Sequence, residues 1–238
     1  MPTNTITTGP TMDEDALYRL MTWLSPAYPV GAFSHSNGLE WAVEASWVHD
    51  RASTLAWLET VLIHGASRND AVLFTHAHRA TRAQDMAGLR EIASLAAAAH
   101  PCAERRQEQL TQGAAFRRAA VGSGTAPQAL SELDGDLAYP VAVATMAAAY
   151  SIPADAALTA FLHSTIANLV SAAQRLVPLG QTDAQIIIAA LQPMIVAAVR
   201  RAAVLENSDP FEALGSATLL ADLAAMLHET QYTRLFRT

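Results

Sequence analysis

VAVATMAAAY, residues 141–150, and PADAALTAFLHSTIANLVSAAQRLV, residues 153–177, are two apolar, alanine-rich segments that lie close together in the chain. Alanine has the highest helix propensity of all residues, and Pro153 suits the first turn of a helix. Working outward, Ala, Leu, Glu, Gln and Arg fill most of the sequence, and the alternation typical of strands is nearly absent. The sequence therefore predicts an all-α fold, a single-domain bundle of about ten helices.

Capping residues and prolines predict several helix boundaries. Thr11 and Glu14 form a capping box at the start of a first helix. The face that this helix should bury consists of Leu17, Leu20, Met21 and Leu24.

Two later helices have predicted starts as well. Asn69 or Asp70 is expected to cap a helix, and Thr182 with Gln185 forms a second capping box. Pro193 should kink or interrupt the helix that follows this box.

The charged run Glu104, Arg105, Arg106 and Glu108 is typical of a solvated helix face, in which Arg105 and Glu108 can pair. A polar surface for a partner is the alternative interpretation.

Composition excludes several chemistries. The chain has 238 residues and a formal net charge of −7, and all 15 of its basic residues are arginine. Without lysine, it has no phosphate-loop Lys, no Schiff-base Lys and no carbamylated Lys between two metals. The acidic balance argues against nucleic acid as a partner. Cys102 is the only cysteine, which excludes an intrachain disulfide and a Cys-based metal cluster.

Residues 1–10 are polar and unpatterned, which predicts a flexible N-terminal segment without the blocks of a signal peptide. No apolar run reaches the length of a membrane span without a charge, a proline or a strongly polar residue. We therefore expect a cytoplasmic protein that does not enter a membrane. Only 16% of the residues are charged, which favours either a large core or a covered apolar surface.

Two segments have unusual compositions. SPAYPVGAFSHSNGLEW, residues 25–41, combines two prolines, two glycines and three aromatic residues with a polar run. HETQYTRLFRT, residues 228–238, places Tyr232, Leu235 and Phe236 among arginines, which is the composition of a docking peptide. The alternative is that this segment packs back onto the protein's own core.

Catalytic and metal sites are weakly indicated. Ser34 and His35 are adjacent, as a small hydrolase could use them, but the segment does not fit the nucleophile elbow of hydrolases. A nickel carrier could use His35, His100, Cys102 or His228, but the sequence shows no closed set of ligands.

The two segments resemble the signatures of the UreF family of urease accessory proteins. SPAYPVGAFSHSNGLE (25–40) is similar to its N-terminal signature, and HETQYTRLFR (228–237) is similar to its C-terminal signature. RLVPLGQ (175–181) and an Arg/Glu-rich helix at 106–116 resemble two further elements in the same order. The chain departs from the family pattern at His35, Asn37, Leu227 and Thr238.

This resemblance implies an all-helical, non-catalytic adaptor that helps to deliver nickel into the urease active site. The partners that it implies are a urease accessory GTPase of the UreG type, a UreD/UreH scaffold, apo-urease and a second copy of the chain. It implies no tightly bound cofactor and no metal ligand in the chain itself, because nickel is handled by the assembled complex.

The resemblance also implies site residues and boundaries. The expected GTPase surface consists of Glu40, Arg175, Gly180 and Gln181, together with Ser34, His35 and Ser36. The expected scaffold surface consists of His228, Gln231, Tyr232, Arg234, Leu235, Phe236 and Arg237. The helical domain is expected to span residues 11–227, followed by a docking tail at 228–238.

Simpler interpretations remain open for three of these residues. Glu40 could be a solvated acid in a first helical turn, and Gly180 could be a plain helix stop. Arg175 could be an arginine finger for the GTPase, a docking contact or a salt bridge at the edge of the core.

Overall fold

The computed structural model describes residues 13–215 and 217–238, and every regular element in this part of the chain is helical. The predicted all-α class is confirmed. The helices are α1 (Glu14–Trp23), α2 (Leu39–Glu44), α3 (Arg51–His64), α4 (Ala66–Arg82), α5 (Met86–Ala98), α6 (Ala103–Gly122), α7 (Gln128–Ser131), α8 (Tyr139–Ala149), α9 (Ala154–Leu176), α10 (Gln181–Val204), α11 (Pro210–Ala213) and α12 (Leu219–His228), with a 3₁₀ helix at Ala32–Ser34.

Helix α8 lies at the centre of the bundle. All of its residues from Tyr139 to Ala148 are buried, and it packs against both α4 and α6. The ring of Tyr139 lies 5.4 Å from that of Phe161 in α9 and 5.9 Å from that of Phe116 in α6, measured between centroids. The segment is alanine-rich because only small side chains let three helices approach it this closely.

Helix α1 differs from its prediction in the face that it buries. Thr11 lies outside the described residues, and the Asp13 side chain caps the helix by accepting the Asp15 N–H. Leu20 and Trp23 are buried, whereas Leu17 and Met21 are 46% and 64% exposed. The prediction that Leu17 and Met21 are buried was wrong, because the bundle covers only one side of this helix.

The predicted start of α4 was also wrong. The helix begins at Ala66, directly after Gly65, so Asn69 and Asp70 lie inside it. Asp70 is buried and accepts a hydrogen bond from Gln109 of α6 rather than from the backbone of its own helix. A tertiary contact therefore uses the side chain that local reasoning assigned to a cap.

Helix α10 begins and continues differently from expectation. Asp183, not Thr182 with Gln185, closes its first turn, by accepting the Gly180 N–H at 3.3 Å. The helix runs on through Pro193 without interruption. Proline has no N–H, so the carbonyl of Ala189, four residues earlier, loses its helical hydrogen-bond partner. Both Pro193 and Ala189 are exposed, and water can therefore satisfy that carbonyl.

Helices α9 and α10 are long and apolar enough to cross a membrane by length and composition alone. This is weak evidence, because a core helix of a soluble protein has the same properties. The most apolar stretch of α9 is half buried within the bundle, whereas that of α10 is only 28% buried.

Candidate functional site

The segment 228–238, here called the tail, lies against the protein's own body. Phe236 is 3% exposed and belongs to a small second core, separate from the main one. This core is formed by Leu39, Ala42, Val48, Ala172, Ala173, Val177, Ala224 and Phe236. It joins α2, the end of α9, α12 and the tail. The tail therefore packs back onto the protein's own body, as the alternative interpretation of this segment predicted.

Glu40, in the first turn of α2, holds the tail by its backbone. Its two carboxylate oxygens accept the N–H groups of Leu235 at 2.6 Å and of Phe236 at 2.9 Å. Glu40 is only 7% exposed, so the interpretation as a solvated acid was wrong. Its burial is tolerated because these donors, and His228, satisfy the charge.

His228, the last residue of α12, lies between two carboxylates. Its Nε2 is 3.1 Å from Oε2 of Glu40, and its Nδ1 is 2.6 Å from Oε2 of Glu104 in α6. Arg234 donates to the other oxygen of Glu104 at 2.7 Å. The side chain of His228 is fully buried, so this cluster ties α2, α6 and the tail together.

The segment Ser34–Ser36 holds the end of the tail. Arg237 N–H donates to the Ser34 carbonyl at 2.8 Å, and both the N–H and the hydroxyl of Ser36 donate to the backbone oxygen of Thr238 at 2.7 Å. His35 Nδ1 contacts the Thr238 hydroxyl at 3.0 Å, and this hydroxyl donates to Glu108 at 2.8 Å. Two of the departures from the family pattern, His35 and Thr238, therefore contact each other.

The acids and bases of α6 that support this site were misjudged from the sequence. Arg105 and Glu108 do pair, as their spacing predicts, but they are 5% and 3% exposed rather than solvated. Burial raises the pKa of the neighbouring Asp70 to about 7 against the opposing effect of Arg105. Local spacing indicated the pair, but only packing against α4 and the tail places it inside.

Arg175, in the last turn of α9, is held between two aromatic rings. Its guanidinium carbon lies 3.7 Å from the centroid of Phe33 and 4.2 Å from that of Phe236. The same group donates to the Phe33 carbonyl at 2.9 Å, and burial lowers its pKa. Arg175 thus links the 3₁₀ helix to the tail through cation–π contacts.

The other predicted residues are more exposed. Gly180 and Gln181 lie on the surface at the start of α10, where Gly180 is the N-cap residue. In the tail, Tyr232 is fully exposed, Leu235 is 63% exposed, and Arg237 also points its side chain to solvent. Gln231 is partly buried. The structure thus joins Ser34–Ser36, Glu40 and Arg175 with the tail. Gly180 and Gln181 are exposed and directly follow Leu179, which packs against the second core.

Sequence comparison assigns the chain to a family. Residues 48–192 match the model of the UreF family. The urease accessory protein UreF of Rhodopseudomonas palustris strain HaA2 is 52% identical over 238 residues, covering 98% of each chain. That of Bradyrhizobium sp. strain BTAi1 is 49% identical over 230 residues, covering 95% of this chain and 94% of that protein. The chain belongs to the UreF family. It is therefore a urease accessory protein, involved in urease maturation.

Within this UreF fold, the geometry does not favour the hydrolase alternative. His35 directs Nδ1 to the Thr238 hydroxyl rather than to Ser34, and the Ser34 carbonyl accepts the Arg237 N–H. Burial also lowers the pKa of His35, partly offset by Glu108. These groups serve to hold the tail.

The nickel-carrier alternative finds no ligand set in residues 13–215 and 217–238, where no three His, Cys, Asp or Glu side chains are placed to hold a metal ion. Both ring nitrogens of His228 are engaged by carboxylates. Burial, with Arg105 and Arg106, lowers the pKa of His100 to about 4. The expectation that the chain holds no resident metal stays a prediction.

Replacing Arg175 with lysine is expected to weaken docking of the tail about tenfold, because a lysine ammonium does not stack flat between Phe33 and Phe236. Amide hydrogen exchange at Phe236 measures the effect. Arg90→Lys, on the exposed surface of α5, is the control. An arginine finger predicts instead unchanged tail protection and a loss of about a thousandfold in partner-stimulated GTP hydrolysis.

Proposed function

We propose that this UreF-family chain is a non-catalytic adaptor that binds a UreG-type GTPase and a UreD/UreH scaffold and presents them to apo-urease. In this proposal the adaptor regulates GTP hydrolysis, and the assembled complex delivers nickel. The observation that carries the proposal is the junction of both signature segments at one site, where Glu40, Ser36 and Arg175 hold the tail.

The scaffold surface is proposed to include the outer side of α12 and the exposed side of the tail. Leu219, Leu220, Leu223 and Met226 of α12 are between 38% and 79% exposed, an unusual amount of apolar surface for one short helix. Tyr232 and Leu235 extend this surface along the tail. Aromatic and apolar anchors of this kind dominate binding energy at protein interfaces.

The GTPase surface is proposed to lie at Gly180 and Gln181, which are exposed, with Ser34 and the exposed ring of Phe33. Glu40, His35, Ser36 and Arg175 are then positioning residues that hold this region, rather than contacts for the partner. GTP hydrolysis is assigned to the partner because the chain has no lysine for a phosphate loop.

A second copy of the chain is proposed to cover the groove between α1, α9 and α10. This groove has a volume of about 850 Å³ and is lined by Leu17, Met21 and Val196, with Asp155 and Arg200 among its polar residues. In a twofold dimer, the exposed apolar side chains of each copy can fill the groove of the other copy. Acidic and basic residues that line the groove can then pair across the interface. The mass of the purified chain in solution tests this part of the proposal.

The cytoplasm is the proposed location, and neither a membrane nor nucleic acid is a proposed partner. The net charge of −7 supports the second point, because phosphate backbones require a basic face.

The proposed function is tested by reconstituted activation with apo-urease, GTPase, scaffold, nickel, bicarbonate and GTP. Urease activity should appear only when the chain is present. Activity that does not depend on the chain, with the other components shown to be competent, would contradict the adaptor role.

The double substitution Tyr232→Ala and Leu235→Ala is expected to reduce scaffold binding at least a hundredfold, because exposed aromatic and apolar anchors are lost. The tail should remain docked, since Glu40 binds the Leu235 backbone and not its side chain. Isothermal calorimetry with the scaffold measures binding. Phe211→Ala, an exposed aromatic residue on α11, is the matched control. Unchanged affinity of the double variant for the scaffold would show that the tail is not part of the scaffold-binding surface.

A further inference from the structure

The two hydrogen-bond contacts of His228 require one more proton than a neutral imidazole ring and two ionised carboxylates provide. A neutral imidazole has one N–H, so it donates to one partner only. Here Nδ1 and Nε2 each lie within hydrogen-bond distance of a carboxylate oxygen, at 2.6 Å and 3.1 Å. With a neutral ring and two ionised carboxylates, one of these contacts would bring a nitrogen lone pair against an anionic oxygen.

One additional proton removes this conflict. It makes His228 an imidazolium that donates to Glu40 and Glu104 at once, or it resides on Glu104 and is donated to the ring. Both arrangements hold the same number of protons, so the added proton belongs to the three side chains together. With the proton present, the charges of Glu40, Glu104, His228 and Arg234 cancel.

We propose that Glu40, His228 and Glu104 share a bound proton that fastens the tail to the body, so that docking of the tail weakens as the pH rises. Undocking separates Leu235 and Phe236 from Glu40, and it exposes the imidazole to water, where a histidine loses its proton near pH 6.5. Above about pH 6.5 the docked state therefore binds more protons than the undocked state, so docking weakens as the pH increases through that region.

The surrounding charges favour this proton. From α2 the ring faces Glu40, and from α6 it faces Glu104. Arg234 is the cation that pairs with Glu104. Glu229, next to His228, accepts the N–H groups of Ala103 and Glu104 at the start of α6 and adds a further negative charge nearby. Arg105, which follows Glu104 in α6, is also a cation close by, but Glu108 pairs with it. The ring therefore contacts two carboxylates of which Arg234 offsets one, and the remaining negative charge favours a proton there.

The test measures amide hydrogen exchange by nuclear magnetic resonance in the purified chain between pH 5.5 and 8.5. Protection factors of the Leu235 and Phe236 amides, corrected for intrinsic exchange, report docking directly, because both donate to Glu40. In the wild-type chain they should fall with rising pH, by up to about tenfold per pH unit.

His228→Gln is expected to abolish this pH dependence, because glutamine fills the site without titrating. His49→Gln replaces an exposed histidine and should behave as wild type. Constant protection in wild type, no protection at any pH, or the same pH dependence in His228→Gln would each overturn the proposal.

A second measurement uses the wild-type chain alone, so it does not require a variant to fold. The ¹⁵N shifts of the His228 ring at pH 7 should show a proton bound or shared at both nitrogens. Two resolved shifts of an ordinary neutral tautomer, one protonated and one bare nitrogen, would contradict the shared proton. Neither measurement involves a partner protein, so its failure would be distinct from failure of the adaptor role.

Discussion

Replacing Glu40 with alanine is expected to release the tail while the helical body stays folded. The change removes the acceptor of two backbone N–H groups and one of the two carboxylates at His228. Hydrogen bonds to a buried charge contribute roughly 1.5–3 kcal/mol each, so docking should lose about 3 kcal/mol or more, over a hundredfold. Loss of exchange protection at Arg237, whose N–H donates to the Ser34 carbonyl and not to Glu40, would be the signature, with unchanged far-ultraviolet circular dichroism.

Glu44→Ala is the matched control for this substitution. Glu44 lies one turn further along α2 and is exposed, so its loss should leave the tail docked. If our proposal for the scaffold surface is correct, Glu40→Ala should also lose scaffold binding although Glu40 itself is buried. Full protection of Arg237 in Glu40→Ala would show that the other contacts hold the tail without Glu40, and it would refute the role assigned here to the carboxylate.

Replacing Gly113 with alanine is expected to cause the largest loss of global stability. A Cβ atom at this position of α6 would lie 1.9 Å from the Leu137 carbonyl oxygen and 2.9 Å from the Ala138 carbonyl carbon. Both atoms are backbone, so α6 must move away from the segment that leads into α8. Overpacking a core usually costs about 1–3 kcal/mol, and a clash with backbone should reach the upper end of that range.

Thermal unfolding measures this loss. For a chain of this size, ~3 kcal/mol corresponds to a fall in Tm of about 10 °C. Gly122→Ala is the control, because Gly122 ends the same helix and has open space around the added methyl group. That change should be neutral or slightly stabilising, since alanine favours a helix. A wild-type Tm for Gly113→Ala would mean that the helix and the 137–138 segment can separate without cost.

Much of the architecture could be predicted because its signals are local. Alanine-rich segments predicted α8 and α9, and Pro153 correctly marked the start of α9. The exposed faces were less predictable. Leu17 and Met21 have the spacing of a buried stripe, but which residues of an amphipathic helix are covered depends on the helices beside it.

The site was predicted as two separate surfaces, and the structure joins most of it into one. Both signature segments were recognised from their composition and order. Their contact was not, because Glu40 and Leu235 are separated by almost the whole chain. Glu104 and Glu108 were missed as members of the site, since nothing in their local spacing distinguishes a buried acid from a solvated one.

By itself, the sequence determined the helical class, the exclusion of lysine chemistry and the resemblance to a urease accessory family. These conclusions follow from residue types and short-range sequence patterns, which do not depend on tertiary packing. Only the tertiary structure decided that Glu40 and His228 are buried, that Arg175 is held between two rings and that the tail is docked. The physical reason is that burying a charge is tolerated only where distant segments supply its partners, and those partners exist only after the chain has folded.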